Sequence, residues 1–167
     1  DTLAAQLAWK IEAGAHGAPP RIAVTVKDVK FANADAQGEL RASWSTGPGQ
    51  GLAKGGRLPG QFELDGRVVR ADASRIARYL PLHMPETRRY VGRAVRSGTV
   101  HDASFRVKGD LWDFPFYGAR TAKDGEFRIA ARIEDASFDY VPSEPAVNEK
   151  PAWASPWPGF TKVNAEL

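Results

Sequence analysis

The chain has 167 residues, 43% of them hydrophobic, with no cysteine and a net charge of +3. That length and composition suit one folded region with a core and exclude wholesale disorder. The absent thiols exclude a disulfide framework, a thiolate metal site and a cysteine nucleophile, and so small a net charge argues against a nucleic-acid binder.

Leu3, Ala5, Leu7, Trp9 and Ile11 alternate from the first residues, which predicts a strand over 2–13. No run approaches the roughly 20 apolar residues of a membrane-spanning helix, and Asp1-Thr2-Leu3 brings no basic leader. Val163, Ala165 and Leu167 still alternate where the sequence stops. Open strand ends want neighbours, so the chain is expected to be a piece of a longer protein.

A second strand is predicted over 21–33. Its apolar series Ile22, Val24, Val26 resumes one residue out of step as Val29, Phe31. Successive strand residues face opposite sides, so both halves share a face only if one extra residue intervenes, as a β-bulge provides. The slip falls at Asp28 in Val26-Lys27-Asp28-Val29-Lys30-Phe31. The pattern of an aliphatic residue, Asp two places on and Phe five places on returns in Val100-His101-Asp102-Ala103-Ser104-Phe105 and Ile133-Glu134-Asp135-Ala136-Ser137-Phe138. A bulge or sharp bend is therefore predicted at Asp28 and Asp135, and by extension at Asp102. The alternative is that each Asp opens a turn between two separate strands. In either case the Asp is architectural.

Residues 33–38 read as a turn and Glu39 to Ser45 as a strand with Leu40, Ala42 and Trp44 on one face. Residues 46–56, rich in glycine around Lys54, read as a loop and match no phosphate-cradling pattern. Phe62, Leu64, Gly66 and Val68 mark another strand, after which the period becomes helical. Asp72 or Ser74 caps a first helix carrying Ile76, Ala77, Tyr79 and Leu80 and stopped by Pro81. Pro85-Glu86 opens a second helix with a Val91, Ala94, Val95 stripe, ended by Gly98 in a left-handed cap. Strands return over 99–108 and 126–140. Between them the aromatic stretch 111–117, holding Pro115, suits an edge or crossing segment, and Lys123-Asp124-Gly125 suits a tight turn. Residues 142–158, with five prolines, read as an irregular loop.

His16, His83 and His101 are too scattered for a metal motif, and no serine sits in a nucleophile elbow or an SxxK pair. Asp110 and Asp113 flank aromatics as a sugar-cleaving carboxylate pair would, although such acids more often cap turns. No catalytic residue, metal or cofactor is expected. Residues 73–98 carry six arginines against Glu86 alone, a net +5. Arg89, Arg93 and Arg96, spaced i, i+4, i+7, are expected on one helix face, either plainly solvated or docking anionic headgroups or an acidic partner.

The runs 71–86 (ADASRIARYLPLHMPE), 105–116 (FRVKGDLWDFPF) and 125–131 (GEFRIAA), with Phe138-Asp139-Tyr140-Val141-Pro142 and Trp157-Pro158, resemble the YhdP branch of the AsmA-like bacterial envelope proteins. The resemblance implies an internal periplasmic fragment of a long protein anchored in the inner membrane of Gram-negative bacteria. It further implies stacked β repeats carrying phospholipid toward the outer membrane through a hydrophobic groove, without catalysis. The expected fold is mainly β: a curved antiparallel sheet, taco-like, in a single fragment 1–167 with a helical insertion at 72–97. Phe105, Val107, Phe127, Ile129, Ile133 and Phe138 are the expected apolar wall. The expected partners are phospholipid acyl chains, neighbouring β repeats of the full-length protein and other envelope proteins, and no nucleic acid. The alternative is a structural or protein-docking module using the arginine face.

Overall fold

The computed structural model describes residues 1–14, 18–52, 56–80, 82, 84–117, 125–148 and 151–166. The predictions for His16, Lys54, Pro81, His83 and Lys123-Asp124 fall outside these residues. The fold is mainly β, as expected: one seven-stranded sheet in sequence order, β1 (Thr2–Glu12), β2 (Arg21–Ala32), β3 (Ala36–Ser45), β4 (Gln61–Asp72), β5 (Val95–Asp110), β6 (Glu126–Phe138) and β7 (Phe160–Glu166). The pairs β1–β2, β2–β3 and β6–β7 are antiparallel. The chain forms two compact units, Asp1–Val68 with Ser104–Ala130, and Val69–Ala103 with Ala131–Leu167.

All three repeated aspartates have a left-handed backbone, with φ of 50° at Asp28, 48° at Asp102 and 49° at Asp135. At Asp28 the register moves from Val26↔Ala42 to Val29↔Leu40, so β2 uses one residue more than β3, and the pairing with β1 slips at the same place. At Asp135 it moves from Ile133↔Ala165 to Ala136↔Val163, so β6 carries the extra residue. These are bulges within continuous strands, not turns. Asp tolerates the left-handed conformation better than most side chains, which accounts for its place there.

A further bulge lies in β7, where Ala136↔Val163 gives way to Phe138↔Phe160 and Lys162 has φ 56°. Its signal was in the sequence. Phe160 is one residue out of step with Val163 and Ala165, the same slip that marks Asp28.

Other boundaries moved for local reasons. Asn33 accepts hydrogen bonds on its side-chain oxygen from the Asp35 and Ala36 amides, so the turn is tighter than expected and β3 starts at Ala36. The first helix is a six-residue 3-10 segment, Ala73–Arg78, not an α-helix. The Asp72 carboxylate caps it, accepting from the Ser74 amide and hydroxyl, and is held below the usual carboxylate range chiefly by that hydroxyl. Helix α1 (Pro85–Ala94) begins at Pro85 as predicted, and Gly92 sets it close against Ala77 of the 3-10 segment. Gly98 does not cap it. The helix ends at Ala94, Val95 turns extended, and Gly98 lies inside β5 at φ 134°, where a Cβ would come within 2.9 Å of Ala136. Gly98 thus serves close strand approach rather than helix termination.

Candidate functional site

In the unit built from Asp1–Val68 and Ser104–Ala130, the bulge at Asp28 sorts side chains by face. Leu3, Leu7, Trp9 and Ile11 of β1 stand opposite Phe31, Val26, Val24 and Ile22 of β2. Val24, Val26, Val29 and Phe31 stand in turn opposite Trp44, Ala42, Leu40 and Gly38 of β3. Directly opposed residues share a face, so these strands present one continuous apolar surface. Phe105 continues the theme by lying across Gly66, where a Cβ would sit 2.1 Å from its ring. Phe127 meets Phe114 edge-on at 5.5 Å, and Phe114 meets Phe116 at 5.8 Å.

The intervening residues are charged and paired across four strands. Arg106 of β5 donates to Glu126 at 2.9 Å, to Asp65, and to Glu63 at 3.3 Å. Arg41 lies 3.6 Å from Asp65, Arg128 3.4 Å from Glu126 and Lys108 3.9 Å from Glu63. The guanidinium of Arg106 is raised above its ordinary value, first by the hydrogen bond to Glu126 and then by the charge of Asp65. This ladder gives the sheet a water-facing side; such pairs contribute modestly each at a surface, but several together fix register.

The apolar side lacks a comparable cover. Leu3 is 75% exposed, Trp9 69%, Phe127 48% and Ile129 51%, and no large side chain among the described residues is fully buried. Apart from Phe116, the buried apolar residues, such as Val29, Val107 and Ala136, are small or medium. A contiguous exposed apolar face of this kind marks a binding surface on a folded protein.

Of the expected wall, Phe105, Val107, Phe127 and Ile129 belong to this unit, with Val107 buried and Phe127 and Ile129 exposed. Ile133 and Phe138 belong to the other unit, where they line a cavity of about 580 Å³ together with Ile76, Val95, Phe160 and Val163. The β1 residues extend the apolar face beyond the residues singled out from sequence. Their alternation was visible; that the described residues leave them exposed was not.

The arginines are not one free helix face. Arg96 lies in β5, outside α1, because the helix stops at Ala94. Each arginine has a carboxylate nearby: Arg89 and Glu86 at 3.2 Å, Arg93 and Glu144 at 3.7 Å, Arg96 and Asp139 at 3.3 Å. Asp110 caps the 3-10 turn Leu111–Asp113 by accepting from the Trp112 amide, an architectural role. Among the described residues no group of three His, Asp or Glu side chains could hold a metal, and no helix is long and apolar enough to cross a membrane.

A family model described as YhdP protein matches residues 1–167. Over 103 residues the chain is 33% identical to a protein named cysteine–tRNA ligase from Maricaulis maris (strain MCS10), covering 54% of this chain and 22% of that protein. Over 81 residues it is 33% identical to a protein of the same name from Caulobacter sp. (strain K31), covering 45% and 18%. The chain thus spans about a fifth of the length of these curated relatives. No solved structure matches.

Proposed function

This chain belongs to the YhdP family of envelope proteins, and on that premise we propose that it is a non-enzymatic, periplasmic segment of a bridge carrying phospholipid between the inner and outer membranes. The observation that carries this reading is the apolar sheet face that the described residues leave exposed, backed by a charged ladder.

The physics of a conduit asks for this division. Moving an acyl chain from water onto an apolar wall gains about 0.8 kcal/mol per methylene, close to what a bilayer already gives it. Transfer between the two is then nearly balanced, and lipid passes without a deep trap. Hydrophobic contact has no preferred direction, so the wall needs no particular polar residue and no reactive group. The charged face meets water and holds the strands in register.

The test is organic extraction of the purified protein followed by mass spectrometry for phospholipid. Co-purifying phospholipid, lost when Trp9 and Ile129 are both changed to glutamate, supports the proposal. A lipid-free protein that instead binds an acidic envelope partner, with binding abolished by Arg89→Glu and Arg93→Glu, replaces it with the docking-module reading.

A further inference from the structure

We infer that the cleft between helix α1 and the chain at 140–144 binds a neutral oligosaccharide, its rings against Tyr90, Tyr140 and Trp153 and its hydroxyls on two arginine–glutamate pairs. The inference does not rest on the lipid-carrying reading above.

The cleft has a volume of about 520 Å³ and lies wholly within the unit Val69–Ala103 with Ala131–Leu167. One wall is a single helix face, since Glu86, Arg89, Tyr90 and Arg93 of α1 stand at i, i+3, i+4 and i+7. The other wall carries Tyr140, Glu144 and Trp153. Both are tied in place before any ligand arrives. The Tyr90 hydroxyl donates to the Tyr140 carbonyl at 2.9 Å, and the Asp139 amide donates to the Ala94 carbonyl at the helix end at 2.8 Å. Glu144 and Trp153 exchange both backbone hydrogen bonds, each at 2.9 Å. Walls fixed in advance spare a ligand the cost of ordering them.

The aromatic side chains set the shape of the guest. Tyr90, Tyr140 and Trp153 are each between 42% and 59% exposed, so their rings are neither core nor covered. An aromatic ring has a negative face that attracts C–H groups, and a pyranose with equatorial hydroxyls offers a flat C–H face. Size agrees with several such rings. A cavity of about 150 Å³ takes the one six-membered ring of benzene, so this cleft has room for roughly three.

The charged side chains set its polarity. Arg89 lies 3.2 Å from Glu86, and Arg93 lies 3.7 Å from Glu144. Two cations and two anions cancel, so the cleft gives an ionic ligand no net attraction. A carboxylate has about four lone-pair sites and a guanidinium five N–H groups, more than one such contact uses. Each pair therefore presents strong acceptors beside strong donors. A sugar hydroxyl donates and accepts at once, which is what such a pair satisfies. A proline-rich peptide also fits aromatic grooves, but it offers carbonyl acceptors and few donors, and would leave Glu86 and Glu144 facing acceptors.

The test titrates the isotope-labelled chain with cellotriose and with chitotriose and follows amide and indole resonances. The expected result is saturable binding of at least one of them, with shifts at 86–93, at 140–144 and at the Trp153 indole. Trp153→Ala is expected to weaken that binding about tenfold through lost stacking. If that variant loses its β circular dichroism, Tyr140→Ala reads the same loss. Arg93→Lys is expected to weaken it severalfold, because an ammonium lacks the planar fork of donors. A carboxylated trisaccharide should bind more weakly than the neutral one, and Glu86→Gln/Glu144→Gln, which removes the negative charge beside both arginines, should reverse that order. Binding of neither neutral trisaccharide at millimolar concentration overturns the inference, as do shifts confined to 22–44 and 105–129. Saturable binding of a decaproline peptide at the cleft, with no saccharide binding, replaces it with a peptide groove. Equal or tighter binding of the carboxylated sugar by the unaltered chain overturns the selection for a neutral ligand. None of these results touches phospholipid extraction, so the two readings fail separately.

Discussion

Deleting Asp28 should leave the stability of the chain almost unchanged, although removing one residue from the middle of a strand ordinarily throws half its side chains onto the wrong face. The register gives the reason. Between Val26↔Ala42 and Val29↔Leu40, β2 spends Lys27 and Asp28 where β3 spends Arg41 alone, and the same excess faces β1. Without Asp28, Lys27 pairs with Arg41, and Ile22, Val24, Val26, Val29 and Phe31 fall into unbroken alternation on the apolar side. The deletion also removes a left-handed residue, a conformation that costs an L-amino acid about 1–2 kcal/mol and Asp less. The net change should lie within about 1 kcal/mol, whereas Asp28→Val keeps the length and should cost at least that much. Deleting Lys30 is the control, because it forces either Val29 or Phe31 off the apolar face at about 1.5–3 kcal/mol. Urea unfolding followed by the fluorescence of Trp9 and Trp44, both opposite Val24, reads the difference. A gap of that size shifts the midpoint by roughly 1 M for a typical slope of 1–3 kcal/mol per molar urea. Equal losses for the two deletions would refute the claim that the bulge is a parity correction.

Other consequences are as direct. Gly66→Val places side-chain atoms inside the Phe105 ring position and should destabilise by about 1–3 kcal/mol, with Gly66→Val/Phe105→Ala recovering part of the loss in the same unfolding assay. Asp72→Ala removes the cap on the 3-10 segment and should cost about 1 kcal/mol at neutral pH. The folded-state pKa of Asp72 is depressed, so its contribution is complete above the unfolded value near 3.9 and is lost as pH falls through the folded one; wild-type and variant stabilities should converge only in strong acid. Arg106→Ala leaves Glu63, Asp65 and Glu126 facing one another without their shared cation, so its destabilisation should grow as pH rises through the carboxylate range and shrink in high salt. A variant penalty independent of pH would assign Arg106 a packing role instead.

Much of the fold was legible because parity is a sequence property. The slip between Val26 and Val29, repeated at Ile133 and Ala136, marks two places as bulge or turn, and pairing along continuous strands decides for the bulge; the third Asp shares the pattern and the left-handed backbone. Helix α1 was equally plain at its start, where Pro85 and Glu86 suit exposed amides. Its end was misplaced because Gly98 suits both a left-handed cap and a close strand contact, and only the neighbour Ala136 separates them. Arg96 fell with that error: a spacing of seven means one face only while the helix lasts.

The sequence by itself determined which residues share a face, since alternation and its interruptions depend on covalent order alone. Whether that face is covered was decided only by the tertiary structure, because cover comes from segments distant along the chain and no local pattern records their absence. The apolar cavity between the insertion and β5–β7 belongs to the same class: its residues come from positions 73 to 165, and their common wall exists only once the strands have paired.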